Sequence, residues 1–399
     1  MKITIVGGGF GGVKAALELA KQPHADITLI TENPHFQYYP ALYSAATGHS
    51  HLEAWVPLSK IFHDIPNVTV VIDSIVTIDP NERFVMGITG KQYDYETVIL
   101  ALGTITTYFG IKGLDQYAYG IKSVAEVNSF KRHLYDEIGR DHELEKHYVV
   151  VGGGPTGVEL AAALGQYIER LCQLFDVKQR RIHIDLVEAA PRVLPRMSKA
   201  SSAVVQKRLE KLGINVHTGK SVQSQNAHEL MVSGKPITSH TVIWTSGVAN
   251  HPFYKANHDF FEFAPNGRVV VDEFMQARGN VYVIGDNAAT PYTGLAQTAL
   301  HDAIFVADNI KRQHHHKHRR PYKAVLPPSV IPVGENWAVF EWRWLRLHGW
   351  IGAVLRRAAD AIGYHDILPL GQALGVWRAH RIEEDEYFAP FIPSATKKK

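Results

Sequence analysis

The chain has 399 residues, of which 45% are apolar and 20% charged, and its formal net charge is only +3. This composition predicts a globular protein of about two to three domains and excludes a disordered or collagen-like chain. The small charge gives no reason to expect nucleic acid as a partner. The single cysteine, Cys172, excludes an internal disulfide framework and a redox-active cysteine pair.

The amino terminus reads ITIVGGGFGGVKAALELA, a buried strand followed by a glycine turn and a helix. Gly7, Gly9 and Gly12 stand in the GxGxxG register, which provides a tight turn, close approach of a pyrophosphate and a helix N-terminus facing that anion. A glycine turn can be purely structural, but the strand before it and the helix after it favour dinucleotide binding. A strand starting at Lys2 leaves no room for a secretory signal, so we expect a cytosolic protein or one on a membrane surface.

The next predicted strand, ITLIT, is followed by Glu32, twenty residues after Gly12. This is the expected distance for a carboxylate that accepts a hydrogen bond from a ribose hydroxyl. The alternative is a solvent-facing loop residue, because Thr31 occupies the strand end where an acid is more common. A later strand, in YETVILALGT, ends at Gly103.

A second strand, turn and helix follow in YVVVGGGPTGVELAAALGQY, with glycines at 152, 154 and 157. The strand IDLVE then ends in Glu188, whose carboxylate would bind two ribose hydroxyls and repel a 2′-phosphate, so NADH is favoured over NADPH. Arg192 follows shortly after this acid and could bind a 2′-phosphate, so NADPH stays an alternative. The late stretch NVYVIGDNAAT delivers Gly285 and Asp286 to a turn, where the acid could bind a ribityl chain.

The two GxGxxG turns, the ALG segment and the GD turn resemble, in this order, the fingerprints of flavoproteins with two dinucleotide-binding domains. Two such units indicate two dinucleotides. The sequence therefore predicts FAD in the first unit and NADH in the second.

The whole pattern resembles the type II NADH dehydrogenases, single-subunit enzymes that pass electrons from NADH through FAD to a quinone. The resemblance covers most of residues 1–310 and rests on ordered blocks. These blocks are GGGFGG, FQYYPALYSAATG, VVVGGGPTGVELA, VEAAPRVLP, VIWTSGV with Gly247, and IGDNA followed by AQTAL. Disulfide reductases and sulfide:quinone reductases of this fold need further cysteines, so Cys172 is expected to be a small core residue.

The resemblance implies several site residues. Ala296 and Gln297 open a helix that would face the flavin and border the quinone site, where His301 and Asp302 replace the usual paired glutamines. Glu159 would position NADH or couple proton uptake, although a carboxylate there can simply be stabilised by the helix dipole. Gln297 and His301 join Glu159 as the predicted catalytic residues, and no metal ligand is predicted.

The tyrosines and the proline of FQYYPALYSAATG, from Tyr38 to Tyr43, present another choice. They could form the wall beside the isoalloxazine ring, as the resemblance implies. They could equally be core residues beneath the second strand.

After Ile310 the run KRQHHHKHRRPYK is predicted to be a solvated linker, since it lacks regular metal-ligand spacing. The following segment interleaves tryptophans with arginines, and the spacing from Leu345 through Trp350 to Leu355 predicts a helix with a broad apolar face. Such a face suits a bilayer interface, although a dimer interface or a cover over the flavin domain would bury the same residues. The resemblance favours peripheral membrane binding.

The predicted fold is α/β, with two Rossmann-like domains and a C-terminal helical region that associates with the membrane. Residues 1–115 and 248–320 are expected to form a split FAD domain, 116–247 the inserted NADH domain, and 321–399 the anchoring or dimerisation region. The expected function is a non-proton-pumping NADH:quinone oxidoreductase, a homodimer on the cytoplasmic face of the cell membrane. A soluble reductase of a protein electron carrier and a non-enzymatic NADH sensor are the alternatives.

Overall fold

The structure is a computed structural model that describes residues 1–178 and 182–383. The strands up to residue 106 are β1 (Lys2–Val6), β2 (Asp26–Thr31), β3 (His35–Gln37), β4 (Trp55–Pro57), β5 (Val68–Ile72), β6 (Ile75–Asp79), β7 (Phe84–Gly87), β8 (Gln92–Asp94), β9 (Thr97–Leu100) and β10 (Thr104–Thr106). The helices in this part are α1 (Phe10–Ala20), α2 (Leu42–Ala46) and α3 (Leu58–Ile61).

The middle of the chain forms a second set of alternating elements. Its helices are α4 (Leu114–Tyr117), α5 (Val124–Leu134), which continues as a π-helical segment over Tyr135–Arg140, α6 (Pro155–Leu174) and α7 (Lys199–Lys211). Its strands are β11 (His147–Val151), β12 (His183–Glu188), β13 (Ile214–Thr218), β14 (Val222–Gln225), β15 (Glu229–Val232), β16 (Lys235–Thr238), β17 (Thr241–Trp244) and β18 (Val248–Asn250).

The last part of the chain contains both helices and strands. They are α8 (Pro252–Ala256), β19 (Gln276–Arg278), β20 (Val281–Val283), α9 (Ala296–His314), β21 (Ser329–Pro332), β22 (Ala338–Trp342), β23 (Leu345–Gly349), α10 (Trp350–His365) and α11 (Leu370–Ala379).

The first sheet has the strand order β19-β20-β9-β1-β2-β5, with β1 parallel to both β2 and β9. Its central strand is completely buried at Ile3 and Ile5, as expected for a strand covered by helices on both faces. Strand β20 returns to this sheet after the whole of the second sheet, so the first sheet is discontinuous in sequence. The carboxyl ends of β1, β2, β9 and β20 therefore meet at one edge.

The second sheet is formed by β13-β12-β11-β17, all parallel. Strands β10 and β18 form an antiparallel ribbon between the two sheets. The chain enters the second sheet after β10 and returns towards the first sheet through β18. The prediction of an α/β fold is confirmed by this architecture and by the structural comparisons reported below. The predicted domain boundaries at residues 115, 247 and 320 stay predictions.

The C-terminal region is helical only in part, at α10 and α11, and the prediction of a helix that includes Leu345 and Leu347 is wrong. Strands β21, β22 and β23 form an antiparallel sheet, and Leu345 and Leu347 lie on β23, before helix α10 begins. The physical reason is the period-two alternation of LRLHG, with a tight hairpin turn at Arg343, whose φ is 55°. None of the helices in the described ranges is both long and apolar enough to span a bilayer.

Candidate functional site

The first glycine turn has the geometry of a dinucleotide cradle. Gly7 has a φ of +116°, and a Cβ there would lie 2.2 Å from the Ala101 carbonyl oxygen. A Cβ on Gly12 would lie 1.8 Å from the Gly7 carbonyl oxygen, so this glycine lets α1 pack against the turn. Gly9, in contrast, faces open space and is the N-cap of α1 without any side-chain cap. The first N–H groups of α1 are therefore free to bind an anion.

The second turn repeats this geometry. Gly152 has a φ of +118°, and a Cβ on Gly157 would lie 1.8 Å from the Gly152 carbonyl oxygen. Gly154 faces open space and is an N-cap without a side-chain partner, and Pro155 begins helix α6. Both turns therefore leave the middle glycine and the helix N-terminus accessible to a pyrophosphate.

A cleft of about 390 Å³ lies along the first turn. Eight of the predicted cofactor-binding residues line it, namely Gly7, Gly9, Glu32, Gly103, Gly247, Gly285, Asp286 and Ala296. Thr156, Thr245 and Ser246 of the second unit also line it. The cleft is thus shared by the two dinucleotide-binding units, which is the arrangement that brings two cofactors together.

Glu32 lies at the wall of this cleft in its ionised form. Its carboxylate accepts a hydrogen bond of 2.6 Å from the Ser74 hydroxyl and lies 3.5 Å from His251 Nε2. The hydrogen bond with His251, together with that from Ser74, lowers the pKa of Glu32 to about 2 despite partial burial. A carboxylate held in this state can accept a hydrogen bond from a ribose hydroxyl.

Lys122 is a cleft residue that the sequence reasoning missed. Its ammonium group donates hydrogen bonds to the Thr104 carbonyl oxygen at 2.5 Å and to the Thr104 hydroxyl at 3.2 Å. The Thr104 hydroxyl in turn donates to Asp286 at 3.4 Å. Burial lowers the pKa of Lys122 to about 8, and the negative charge of Asp286 opposes this shift. No motif marks this lysine, because only the tertiary fold brings the start of α5 to the cleft.

Glu188 ends β12 beside the second glycine turn. Its carboxylate accepts hydrogen bonds from the Gly153 N–H at 2.5 Å and from the Ala190 N–H at 2.6 Å. The guanidinium of Arg192 donates to the carbonyl oxygens of Leu194 and Pro195. Arg192 is therefore engaged by the backbone next to the predicted acid.

Glu159 lies on α6 one turn after Thr156, and it is buried. Arg356 of α10 donates a hydrogen bond of 3.0 Å to its carboxylate. The same guanidinium binds Asp360 at 2.8 Å and the Pro40 carbonyl oxygen at 2.6 Å. Burial raises the pKa of Glu159 to about 7, since one cation shared with Asp360 only partly offsets the loss of solvation. Arg356 is itself buried, and no sequence motif marks it as a partner of Glu159.

A second cavity of about 520 Å³ lies between α6 and the C-terminal helices. The segment from Tyr39 to Tyr43 separates it from the first cleft: Tyr39 and Leu42 line the first cleft, and Pro40 and Tyr43 line the second cavity. Other residues of the second cavity include Arg170, Trp337, Arg356, Trp377 and His380. The predicted aromatic segment therefore forms a partition between two cavities.

The predicted site residues on helix α9 do not all lie at the first cleft. Ala296 lines the first cleft, and Gln297 at the helix start is exposed. His301 Nε2 lies 3.0 Å from the Lys323 carbonyl oxygen, and this residue is not among those lining the cleft. The catalytic roles of Gln297 and His301 stay predictions.

The neighbouring Asp302 is fully buried and supports the GD turn. It accepts hydrogen bonds from the Gly285 N–H at 3.0 Å and from the Tyr322 hydroxyl at 2.6 Å. Asp302 therefore fixes the turn that presents Asp286 to the cleft, a role that sequence spacing did not reveal. Cys172 is 2% exposed on α6, which confirms its prediction as a core residue.

The comparisons with known proteins agree with this geometry. The model of the pyridine nucleotide-disulphide oxidoreductase family matches residues 1–303. The type II NADH:quinone oxidoreductase Ndh of Mycobacterium tuberculosis is 30% identical over 336 residues, which are 78% of this chain and 72% of that protein. The type II NADH:quinone oxidoreductase of Staphylococcus aureus is 28% identical over 84% of this chain and 88% of its own length.

Among solved structures, NDH2 from Plasmodium falciparum in complex with NADH has a TM-score of 0.86 at 20% identity, covering 98% of this chain and 99% of that chain. The sulfide:quinone oxidoreductase of Aquifex aeolicus has a TM-score of 0.74 at 17% identity, covering 98% and 95%. Both likenesses show the fold. The family model and the sequence relatives confirm the resemblance seen in the motifs. The chain therefore belongs to the pyridine nucleotide-disulphide oxidoreductase family and, within it, to the type II NADH:quinone oxidoreductases.

Proposed function

We propose that the protein oxidises NADH and reduces a quinone with FAD as its resident cofactor. The observation that carries this proposal is the shared cleft, in which Gly7 and Gly9 of the first unit face the same space as Thr156 and Gly247 of the second. When bound, FAD accepts a hydride from NADH and passes two electrons to the quinone. The chain itself supplies orientation, charge and protons.

The residues of the first unit fit an FAD molecule. The open backbone at Gly9 and the uncapped N-terminus of α1 would hold the pyrophosphate. The ionised Glu32 would bind the ribose, and Asp286, supported through Asp302, would bind the polyol chain. Lys122 adds a positive charge beside Asp286.

The second unit would bind NADH in the same manner. Gly154 and the N-terminus of α6 would hold its pyrophosphate, and Gly157 allows the close packing of that helix. The carboxylate of Glu188 would accept from the ribose hydroxyls and repel a 2′-phosphate. These residues support NADH over NADPH.

The second cavity is the proposed quinone site. It shares the Tyr39–Tyr43 partition with the first cleft, and the aromatic residues Tyr43, Trp337 and Trp377 offer apolar surface to a ring. Arg356 lines this cavity, and Glu159, which is bound to Arg356, would supply a proton to the quinone. His380 is a second donor, since its hydrogen bond with Glu53 raises the pKa of the imidazole.

A surface of exposed apolar residues supports binding to a membrane. Trp344 is 81% exposed, Trp350 71%, Val354 56% and Ile362 64%, on the β22–β23 turn and α10. We call these four residues the apolar face. Tryptophan and aliphatic side chains at this density suit the bilayer interface, from which an apolar quinone could reach the second cavity. Peripheral attachment to the cytoplasmic side of the membrane and a homodimer are the proposed context.

The proposal is tested with the purified protein and a panel of quinones. We expect a yellow protein that retains FAD, that NADH reduces, and that oxidises NADH continuously when a quinone is supplied. The turnover should be faster with NADH than with NADPH. A colourless protein, or one whose flavin is not reduced by either nucleotide, would contradict the proposal.

A further inference from the structure

A cluster of metal-ligating side chains lies outside the cofactor sites, at the opposite edge of the second sheet. His133 is on α5, Glu137 on the π-helical segment after it, and Glu145 in the loop before β11. Their nearest ligand atoms all lie within 4.8 Å of one another. Strands β11 and β17 run parallel from this edge towards the glycine turn, so about 13 Å of strand separates the cluster from Gly152.

Two distances between candidate ligand atoms, one of which includes the neighbouring His240, agree with the geometry of a zinc site. Two ligands about 2.1 Å from a tetrahedral zinc ion lie about 3.4 Å apart. His133 Nε2 and Glu137 Oε2 are 3.4 Å apart, and His240 Nδ1 and Glu145 Oε1 are 3.5 Å apart. Nitrogen and oxygen ligands in this combination are those that zinc accepts.

Surrounding groups hold the ligands in these orientations. The Tyr148 hydroxyl donates to Glu137 Oε1 at 2.8 Å, which leaves Oε2 facing the cluster. The backbone N–H of His240 donates to both oxygens of Glu145 at 2.8 Å. The ring of His133 stacks on Tyr119 with centroids 4.7 Å apart. Such outer contacts are the usual support of metal ligands.

Two further observations favour a cation at this place. In the part of the chain that the structure describes, Glu137 and Glu145 form no ion pair with a lysine or an arginine. A cavity of about 400 Å³, lined by His133, His240 and Gln225, opens onto the cluster. Gln225 is 5% exposed, and among the described residues its side-chain oxygen has no hydrogen-bond partner.

We propose that His133, Glu137 and Glu145, completed by His240, form a zinc-binding site at this edge of the second sheet. The ion would neutralise the two carboxylates and join the end of α5, the loop before β11 and the start of β17. The Thr241 hydroxyl, 2.7 Å from His133 Nε2 and 3.0 Å from Glu145 Oε1, would rotate away to admit the ion. The sequence, by contrast, predicted no metal ligand.

The test measures zinc binding and thermal unfolding of the full-length, FAD-loaded protein. The histidines at 314, 315, 316 and 318 are replaced by asparagine in every sample, so that the histidine run cannot contribute to the measured zinc binding. We expect zinc to raise the unfolding temperature. We expect His133→Ala and Glu145→Gln to weaken zinc binding by more than ~100-fold, which is a larger loss than the removal of a residue that only supports a ligand would cause. His217→Ala removes an imidazole that binds Asp185 in the same sheet, and should leave zinc binding unchanged.

Thr241→Val keeps the test decisive if the other variants fail to fold. In a zinc site this variant retains zinc binding, whereas in a cluster that is only a hydrogen-bond network it destabilises the protein and no zinc binds. An anomalous diffraction map at the zinc absorption edge should show the ion between His133 and Glu145. No anomalous peak there in zinc-soaked crystals, or equal zinc binding in His133→Ala and His217→Ala, would overturn the proposal.

Discussion

Lys122 is a positively charged residue of the cleft, and Thr104 holds it beside Asp286, the proposed polyol contact. Reduction of a flavin adds negative charge, and a buried ammonium group stabilises that charge more than a solvated one does. A pKa lowered to about 8 shows that burial already disfavours the ammonium form. The lysine is therefore poised to respond to charge on the cofactor.

We predict that Lys122→Met makes the bound FAD harder to reduce, so that its reduction potential becomes more negative. The potential is measured by equilibration with a reference dye during slow reduction. The exposed Lys112 gives a matched control, and Lys112→Met should leave the potential unchanged. Equal potentials in the wild type and in both variants would refute this role.

Glu159 is buried and forms an ion pair with Arg356, which lines the second cavity. A carboxyl group with a pKa of about 7 is protonated below that pH and loses its proton above it. If it donates a proton to the quinone, reoxidation by quinone should slow as the pH rises through about 7. Glu159→Gln should remove this pH dependence and slow reoxidation by ~100-fold or more, because general acids contribute on that scale.

Stopped-flow absorbance of the flavin at several pH values measures this rate. Reduction of the nonphysiological acceptor ferricyanide, which takes up electrons without protons, is the control and should retain its rate in the variant. A pH profile of quinone reoxidation that is the same in the wild type and in Glu159→Gln would show that the proton comes from another group.

At the scale of elements, the strand, turn and helix units depend on glycines with different tasks. A Cβ at residue 12 would collide with the Gly7 carbonyl oxygen, whereas a Cβ at residue 9 meets no heavy atom within 4 Å. We predict that Gly12→Ala lowers the free energy of unfolding by ~1–3 kcal/mol through this clash. Without FAD, Gly9→Ala should be as stable as the wild type. It should bind FAD more weakly. Denaturant unfolding and FAD titration separate the two outcomes, and equal effects of both substitutions on stability would contradict the assignment.

The C-terminal hairpin and α10 carry the apolar face. We predict that Trp344→Ser together with Trp350→Ser weakens binding to phospholipid vesicles, while NADH oxidation by ferricyanide in solution is preserved. Ile88 is as exposed as Trp350, at 71%, and Ile88→Ser serves as the matched control on the β7–β8 turn. Cosedimentation with vesicles measures binding. If the double variant binds vesicles as well as the wild type does but no longer forms a dimer, the apolar face is a contact between subunits.

At the scale of the whole molecule, contiguous motifs were predictable and distant partners were not. Gly7, Gly9 and Gly12 lie within six residues, so their strand, turn and helix context is visible in the sequence alone. Arg356 binds Glu159 across 197 positions of the chain, and no local pattern announces such a pair. The helix expected around Leu345 failed because a short apolar segment with aromatic residues fits a strand as well as a helix.

If one chain passes electrons from NADH to a quinone through its own flavin, both transfers should change the colour of that flavin. The most direct measurement is flavin absorbance in an anaerobic stopped-flow experiment, with NADH in the first mixing step and a quinone in the second. We predict that NADH bleaches the flavin and that the quinone restores its full absorbance. A flavin that NADH bleaches but that no quinone reoxidises would contradict it.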